Sequence, residues 1–377
     1  MKPVKAQQFD ITANPTDVSQ MNHQHELGQH YSIKAEQLLD GMSRPPQGAI
    51  VIEPFAGQGD LLTWLGPGYI NVAYDLEPKA PGILRRNTLL DAPRYSGAYV
   101  LTNPPWLAKN KSEDKTIFDR YGTDDLYKCF LKSLMREPPM GGIIIIPLNF
   151  LSGARESEKK RRQEFFRMFK PTRFNVFEEA MFEDTDYLTL VIEFQRRIDP
   201  STLSETWPIH FYPSNTSIVW SINKSNLDFP NEDPFASALT KAPPPNKFIK
   251  VRRHTDDVPL KPSEMLTNII LENLDSGTSL IPGIQRIGLR IKTDDEEAYV
   301  GKATGRSRAQ IVVRGFMSKK LQAHVVKEFN SWIENWREKT RSMFLPIFRE
   351  AKEYPRRRMT FELAFNAISR ILWEKCN

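Results

Sequence analysis

Cysteine is nearly absent from this chain of 377 residues: only Cys129 and Cys376 occur, in unrelated contexts. That excludes a disulfide framework and a cysteine-rich metal centre, and it fits a reducing cytoplasm. Long apolar runs are missing as well. The most apolar stretch, Ile143 to Ile146 with its neighbours, is far too short to span a bilayer. The opening MKPVKAQQFDITANP has no apolar core of a secretory signal, so a cytoplasmic protein with no membrane partner is expected. His23, His25 and His30 lack an acidic or Cys partner at ligand spacing, which argues for a polar arm and against a metal site.

What is present is ordinary for a globular protein: 40% hydrophobic and 26% charged residues, in a length that suits two or three domains. The net charge of +6 is unevenly placed. Residues 301–377 carry 17 Lys/Arg against 7 Asp/Glu, a net +10, which leaves −4 for the rest. A basic end on a near-neutral body suggests a polyanionic partner, although a solvated helical surface gives the same count.

From about residue 28 to 197, short β-rich runs alternate with helix-compatible stretches. The runs are AIVIE (49–53), NVAYD (71–75), AYVLT (98–102), GIIIIPL (142–148) and LTLVIEF (188–194). Between them, TDDLYKCFLKSLMRE (123–137) places Leu126, Phe130, Leu131 and Leu134 on one helical face. This alternation predicts an α/β fold with a doubly wound, mostly parallel sheet. After Arg197 the text turns Pro-rich and irregular, and reads as a linker opening a second, mixed α+β region. Short strands are expected within 280–316 and helices over 318–350 and 359–375. The expected division is an arm of residues 1–27, a catalytic domain of 28–199 and a recognition region of 200–377.

Two constellations carry chemistry. The first is VIEPFAGQGDLL, where Gly57 and Gly59 allow a tight turn and close approach of backbone to a ligand. Neither the GxGxxG nor the GK[ST] phosphate fingerprint is met. Acids flank the glycines instead, Glu53 before and Asp60 after, which repel a pyrophosphate and suit a cationic or hydroxyl-rich ligand. Asp75 ends the next strand, where an acid can accept ribose hydroxyls. The pocket fits a nucleoside bearing positive charge, such as S-adenosylmethionine. The bland alternative is a glycine turn whose acids cap helices.

The second is TNPPW, at the end of the run AYVLT. The Asn103 carboxamide oxygen accepts one N–H, and the Pro104 carbonyl accepts another because Pro105 brings no N–H. Two acceptors converging on one amino group hold its hydrogens and keep its nitrogen electron-rich. Trp106 offers a flat face for a planar base.

EPFAGQG followed by TNPPW resembles the S-adenosylmethionine-dependent DNA amino-methyltransferases of restriction–modification systems. The order of the motifs, with a long C-terminal region last, is that family's gamma order, and its Asn-Pro-Pro-aromatic motif usually goes with adenine. The resemblance covers roughly residues 28–197. It implies a class I methyltransferase fold, S-adenosylmethionine as cofactor and no metal. It further implies double-stranded DNA as partner, with a flipped-out adenine and a cognate restriction endonuclease. It places Tyr31, Ser32, Glu53, Pro54, Phe55, Gly57, Gly59, Asp75 and Leu76 around the cofactor. Asn103, Pro104, Pro105 and Trp106 are placed at the target base, with Phe182 packed on it. Where the family usually has an Asp on the cofactor adenine this chain has Asn87, with Asp91 close by.

The same motif occurs in enzymes that methylate RNA bases or a protein glutamine, and a catalytically inactive binding module stays open too. Carbon-5 cytosine chemistry needs a Cys nucleophile, which neither Cys129 nor Cys376 suits. Candidate base or phosphate contacts in the basic region are Arg286, Arg290, Arg306, Arg308 and Arg314.

Overall fold

The structure is a computed structural model. It describes residues 35–153, 156–182, 185, 187–199, 203–223, 249–276, 286–345, 347–348 and 356–376. Tyr31, Ser32 and the polar arm lie outside the described residues. The chain divides into two compact units, Met1–Ile146 and Pro147–Asn377.

The first unit is built on five strands: β1 (Ile50–Glu53), β2 (Ile70–Asp75), β3 (Leu84–Arg85), β4 (Tyr99–Thr102) and β5 (Gly141–Pro147), whose last residue is at the boundary. They lie in the order β3-β2-β1-β4-β5, and every neighbouring pair is parallel. The chain winds from β1 to one side through β2 and β3, then returns to the other side of β1 with β4. The switch point therefore falls between the carboxyl ends of β1 and β4, where an open parallel sheet binds its ligand. β5 is buried at every position, as a strand covered on both faces must be.

The helix Leu126–Arg136 buries the face the sequence predicts: Leu126, Phe130, Leu131 and Leu134 are all at or below 8% exposure. Asp125 caps it by accepting from the Tyr127 N–H at 3.4 Å, which satisfies one of the first-turn donors.

In the second unit, β6 (Phe169–Phe177), β7 (Thr189–Arg196), β8 (Ser204–Tyr212) and β9 (Thr216–Asn223) lie in the order β7-β6-β8-β9. β6 pairs antiparallel with β7 and parallel with β8, and β8 pairs antiparallel with β9. The compositional change at Arg197 is thus not a sheet boundary. DPSTLSETWP, which reads as an irregular linker, leads into β8 because Trp207, Ile209 and Phe211 alternate inward. Trp207 packs on Phe166 and Phe174 at ring distances of 4.5 and 5.4 Å. Arg197 and Glu205 form a buried two-pronged pair, and Glu205 also accepts from the Trp207 indole N–H at 2.6 Å.

A second sheet holds β10 (Val251–Arg253), β11 (Glu264–Glu272), β13 (Gly288–Ile291) and β14 (Arg308–Arg314), ordered β10-β14-β11-β13 and antiparallel throughout. Its core, with Ile269, Leu289, Ile311 and Val313, is shared with Val325, Phe329 and Ile333 of the helix Lys319–Thr340 and with Ile368 and Leu372 of the helix Phe361–Cys376. A small sheet of β12 (Leu274–Ser276), β16 (Arg356–Arg358) and β15 (Ile347–Phe348) completes this unit's described strands. The helix expected over 318–350 stops at Thr340, where Arg341 adopts a left-handed conformation at φ 49°. No described helix is long and apolar enough to cross a membrane.

Candidate active site

At the carboxyl end of β1 the chain leaves the sheet through Glu53, Pro54 and Phe55 into a turn. Gly57 and Gly59 both have positive φ there, 52° and 84°, a conformation open to glycine at no steric cost. The turn is tied to β2 by the Ala56 N–H on the Tyr74 carbonyl at 2.8 Å and by the Gly57 N–H on Asp75 Oδ2 at 2.8 Å. The Glu77 N–H reaches Asp75 Oδ1 at 2.7 Å. Each Asp75 oxygen accepts one backbone N–H, so the carboxylate is fixed in orientation. A carboxylate has roughly four lone-pair sites, so further acceptor capacity remains on both oxygens.

These groups line a cavity of about 250 Å3 within the first unit, together with Asn87, Asn103 and Pro105. Its electrostatics are acidic. Glu53 is 1% exposed, and its Oε2 has no hydrogen-bond partner among the described residues. Burial pushes its pKa well above the usual carboxylate range, and Asp60 and Asp75 raise it further. The Asp75 pKa is also raised, chiefly by desolvation, against the lowering effect of the Glu77 and Gly57 N–H groups.

Asn87 lines the cavity and uses its Oδ1 to accept from the Leu89 and Leu90 N–H groups, both at 3.2 Å. Asp91, the neighbouring candidate, is exposed and pairs with Arg86 Nε at 3.0 Å. Of the two, Asn87 is the one at the cavity. Thr88 fastens this segment to the glycine turn through its hydroxyl on the Pro54 carbonyl at 3.0 Å. Phe55 meets Phe130 edge to face at 5.3 Å, and Leu76 stands 39% exposed at the cavity rim.

No family model matches the chain, and no curated protein is similar to it. Several solved structures are similar in part. A protein described as the modification subunit of a type I restriction enzyme from Vibrio vulnificus YJ016 is 13% identical, with 56% of this chain and 62% of that chain covered and a TM-score of 0.40. The methyltransferase subunit of a type I restriction–modification system from Streptococcus thermophilus is 16% identical over 49% of this chain and 47% of that one, with a TM-score of 0.38. A protein described as a class I S-adenosylmethionine-dependent methyltransferase from Listeria monocytogenes is 13% identical over 50% and 64%, with a TM-score of 0.36. The chain spans less than two thirds of each of them. Likenesses of this extent fix neither an activity nor a substrate.

Asn103 to Trp106 follow β4 directly. Asn103 is buried at 8% exposure and lines the same cavity as Glu53 and Asp75. Pro105 lines it too, and its neighbours Pro104 and Trp106 are buried. The indole is 7% exposed and is not part of the cavity wall. The chain continues from Trp106 by pairing with the start of the helix Leu126–Arg136: the Leu126 N–H meets the Leu107 carbonyl at 3.0 Å, and the Lys109 N–H meets that of Asp124 at 2.8 Å.

Phe182 belongs to the second unit and is buried there. The basic candidates divide. Arg290 is held by Glu296 and Glu272, Arg308 by Glu272, and Arg286 faces Glu334 at 3.5 Å. Arg306 and Arg314 are exposed. Cavity residues that the sequence did not single out include Arg86, Ser112, Asp114 and the apolar Ile117 and Phe118. Ser112 and Asp114 form a short polar turn, Ser112 Oγ on the Asp114 carbonyl at 2.7 Å, which signals a loop and nothing more specific. Among the described residues no group of three or more His, Cys, Asp or Glu could hold a metal.

Proposed function

We propose that the chain is an S-adenosylmethionine-dependent methyltransferase that acts on the exocyclic amino group of adenine in DNA. One observation carries the reading: the carboxyl ends of β1, β2 and β4 bring Glu53, Asp75 and Asn103 to a single cavity at the switch point of a parallel sheet.

The residues present fit the cofactor. Glu53 offers a buried carboxyl oxygen with no partner of its own, which suits the cationic methionine portion. Asp75 is oriented by two backbone N–H groups and keeps acceptor capacity for ribose hydroxyls. The glycine turn adds no side-chain bulk beside them. Asn87 presents an amide to an adenine edge. When bound, S-adenosylmethionine supplies an electrophilic methyl group.

The chain's task on the other side is to hold a neutral amino group. The Asn103 carboxamide oxygen and the Pro104 carbonyl each accept one of its hydrogens, which keeps electron density on the nitrogen. Fixing both partners in one enclosed site turns a bimolecular encounter into an oriented one. A duplex adenine is out of reach in the stack, so it is flipped into the cavity. Recognition of the surrounding sequence is assigned to residues from about 200 onward.

Single-molecule sequencing of DNA from a methylation-free host expressing the chain tests this. N6-methyladenine in one sequence context is the expected result. Unmodified DNA would remove the reading, and modified RNA or protein would redirect it.

A further inference from the structure

The second unit carries a patch that the proposed chemistry does not use. β14 ends at Arg314, and the next residues run Gly315, Phe316, Met317, Ser318 before the helix Lys319–Thr340 begins. Met317 is 2% exposed and packs inward, its N–H on Met265 Sδ at 3.3 Å. Phe316 points the other way and is 84% exposed. An isolated exposed Phe is unremarkable, but this one stands among cations.

The backbone brings those cations together. The Arg314 N–H bonds to the Lys250 carbonyl at 3.0 Å, just before β10, and the Gly315 N–H bonds to the Ser263 carbonyl at 2.9 Å, just before β11. Lys261 lies two residues earlier on that approach. Lys319 and Lys320 open the helix, which has no acid in its first turn. A helix start favours acids there, so the two lysines work against local stability. Lys250, Lys261, Arg314, Lys319 and Lys320 are all exposed.

Their lack of partners sets them apart. Among the described residues none of the five is paired with a carboxylate, whereas Arg286, Arg290, Arg308 and Arg337 all are. The carboxylate opposite Arg314 in register, Glu264, is already taken by Arg252 at 2.6 Å and by the Lys261 N–H at 3.0 Å. Local acids thus neutralise the arginines further along the sheet and leave this end of it positive.

We propose that this end of the β10-β14-β11 sheet is a nucleic-acid contact surface, in which Lys250, Lys261, Arg314, Lys319 and Lys320 meet backbone phosphates and Phe316 lies against a base. Phosphates are the polyanion that a cluster of exposed cations binds, and a partly opened base step supplies the flat face that an exposed phenyl ring wedges against. That the polymer is duplex DNA rests on the function proposed above. The surface itself rests on the cations and the ring.

The test uses the full chain and a short fluorescein-labelled duplex, with anisotropy followed between about 50 and 200 mM salt. Each phosphate contact contributes a slope of about 0.9 in log affinity against log salt, so replacing the four lysines by Gln should lower the slope by about 3 to 4 and weaken binding about tenfold or more. Phe316→Ala should weaken binding by about 5- to 100-fold and leave the slope unchanged. Neither variant should have a lowered thermal midpoint, the lysine variant gaining slightly from the relieved helix start, and both should keep their affinity for S-adenosylmethionine.

Unaltered affinity and slope in the lysine variant would overturn the surface even if the wild type methylates DNA. A wild type that ignores the duplex but binds phosphatidylserine vesicles through these residues would also overturn it. Duplex binding that depends on the patch, in a chain that transfers no methyl group, would uphold the surface and remove the methyltransferase reading.

Discussion

At the scale of single residues, Glu53 and Asp75 give the cavity its acidic character. A buried carboxyl whose pKa is raised holds its proton to higher pH than an ordinary glutamate. A cationic ligand favours the ionised form, so at low pH it must displace that proton. Affinity for S-adenosylmethionine should therefore rise with pH until Glu53 ionises unaided, and Glu53→Gln should flatten the profile in calorimetric titrations. The sign for stability is opposite. A raised carboxyl contributes stability that is full at low pH and lost as pH rises through its folded pKa. Asp75→Ala removes charge-assisted acceptors for the ribose and should cost about 2–4 kcal/mol of cofactor affinity. Unchanged affinity in that variant would remove Asp75 from the site. Trp106, whose chemistry suggests a stacking face, is 7% exposed.

At the scale of elements, the helix Leu126–Arg136 is tied at its start to the segment that follows Trp106. Its cap, Asp125, also accepts from the Leu107 N–H, one residue past Trp106, and its pKa is pushed from 3.8 up to about 7, first by desolvation. Stability from Asp125 is therefore complete at acid pH and lost as pH rises from about 4 to about 7. Asp125→Asn keeps an acceptor for the cap and removes the titration. Urea unfolding of that variant should lose part of the pH dependence over this window, and an unaltered dependence would show that Asp125 does not titrate there. β1, β2, β4, β5 and β7 were legible in the sequence because each is an unbroken β-rich run. β6 and β8 were not, because Pro171 and Pro208 interrupt them. The ladder between β6 and β7 shifts register between Pro171 and Arg173, and the inward alternation of Trp207, Ile209 and Phe211 was the signal to read. Glu53, Asp75 and Asn103 were legible because they end strands. Arg86, Ser112 and Asp114 were not, because their place at the cavity depends on loops closed by tertiary bonds. The carboxylate partners of Arg290 and Arg308 were equally hidden, since Glu272 is 18 and 36 residues away in sequence.

At the scale of the whole molecule, the net +10 of residues 301–377 overstates the free positive charge, because Arg308, Arg337 and Arg341 are paired with acids outside that segment. The molecule also has no natural end at Arg197. A chain cut there loses β8 and β9, strips Trp207 from Phe166 and Phe174, and leaves Arg197 without Glu205. Loss of one large buried aromatic alone costs about 3–5 kcal/mol, so the fragment should show no cooperative unfolding of this part by calorimetry, while a chain ending at Asn223 should retain it. A fragment ending at Arg197 with an unchanged transition would contradict the sheet order. The central claim is that Asn103 acts on an amino group beside a methyl donor held by Glu53 and Asp75. The direct measurement is transfer of labelled methyl from S-adenosylmethionine to duplex DNA, followed by nucleoside separation, for the wild type and Asn103→Ala. The account predicts label in N6-methyl-2′-deoxyadenosine for the wild type and almost none for the variant, with cofactor affinity nearly equal in the two. Transfer by Asn103→Ala at the wild-type rate, or label in any other nucleoside, would contradict it.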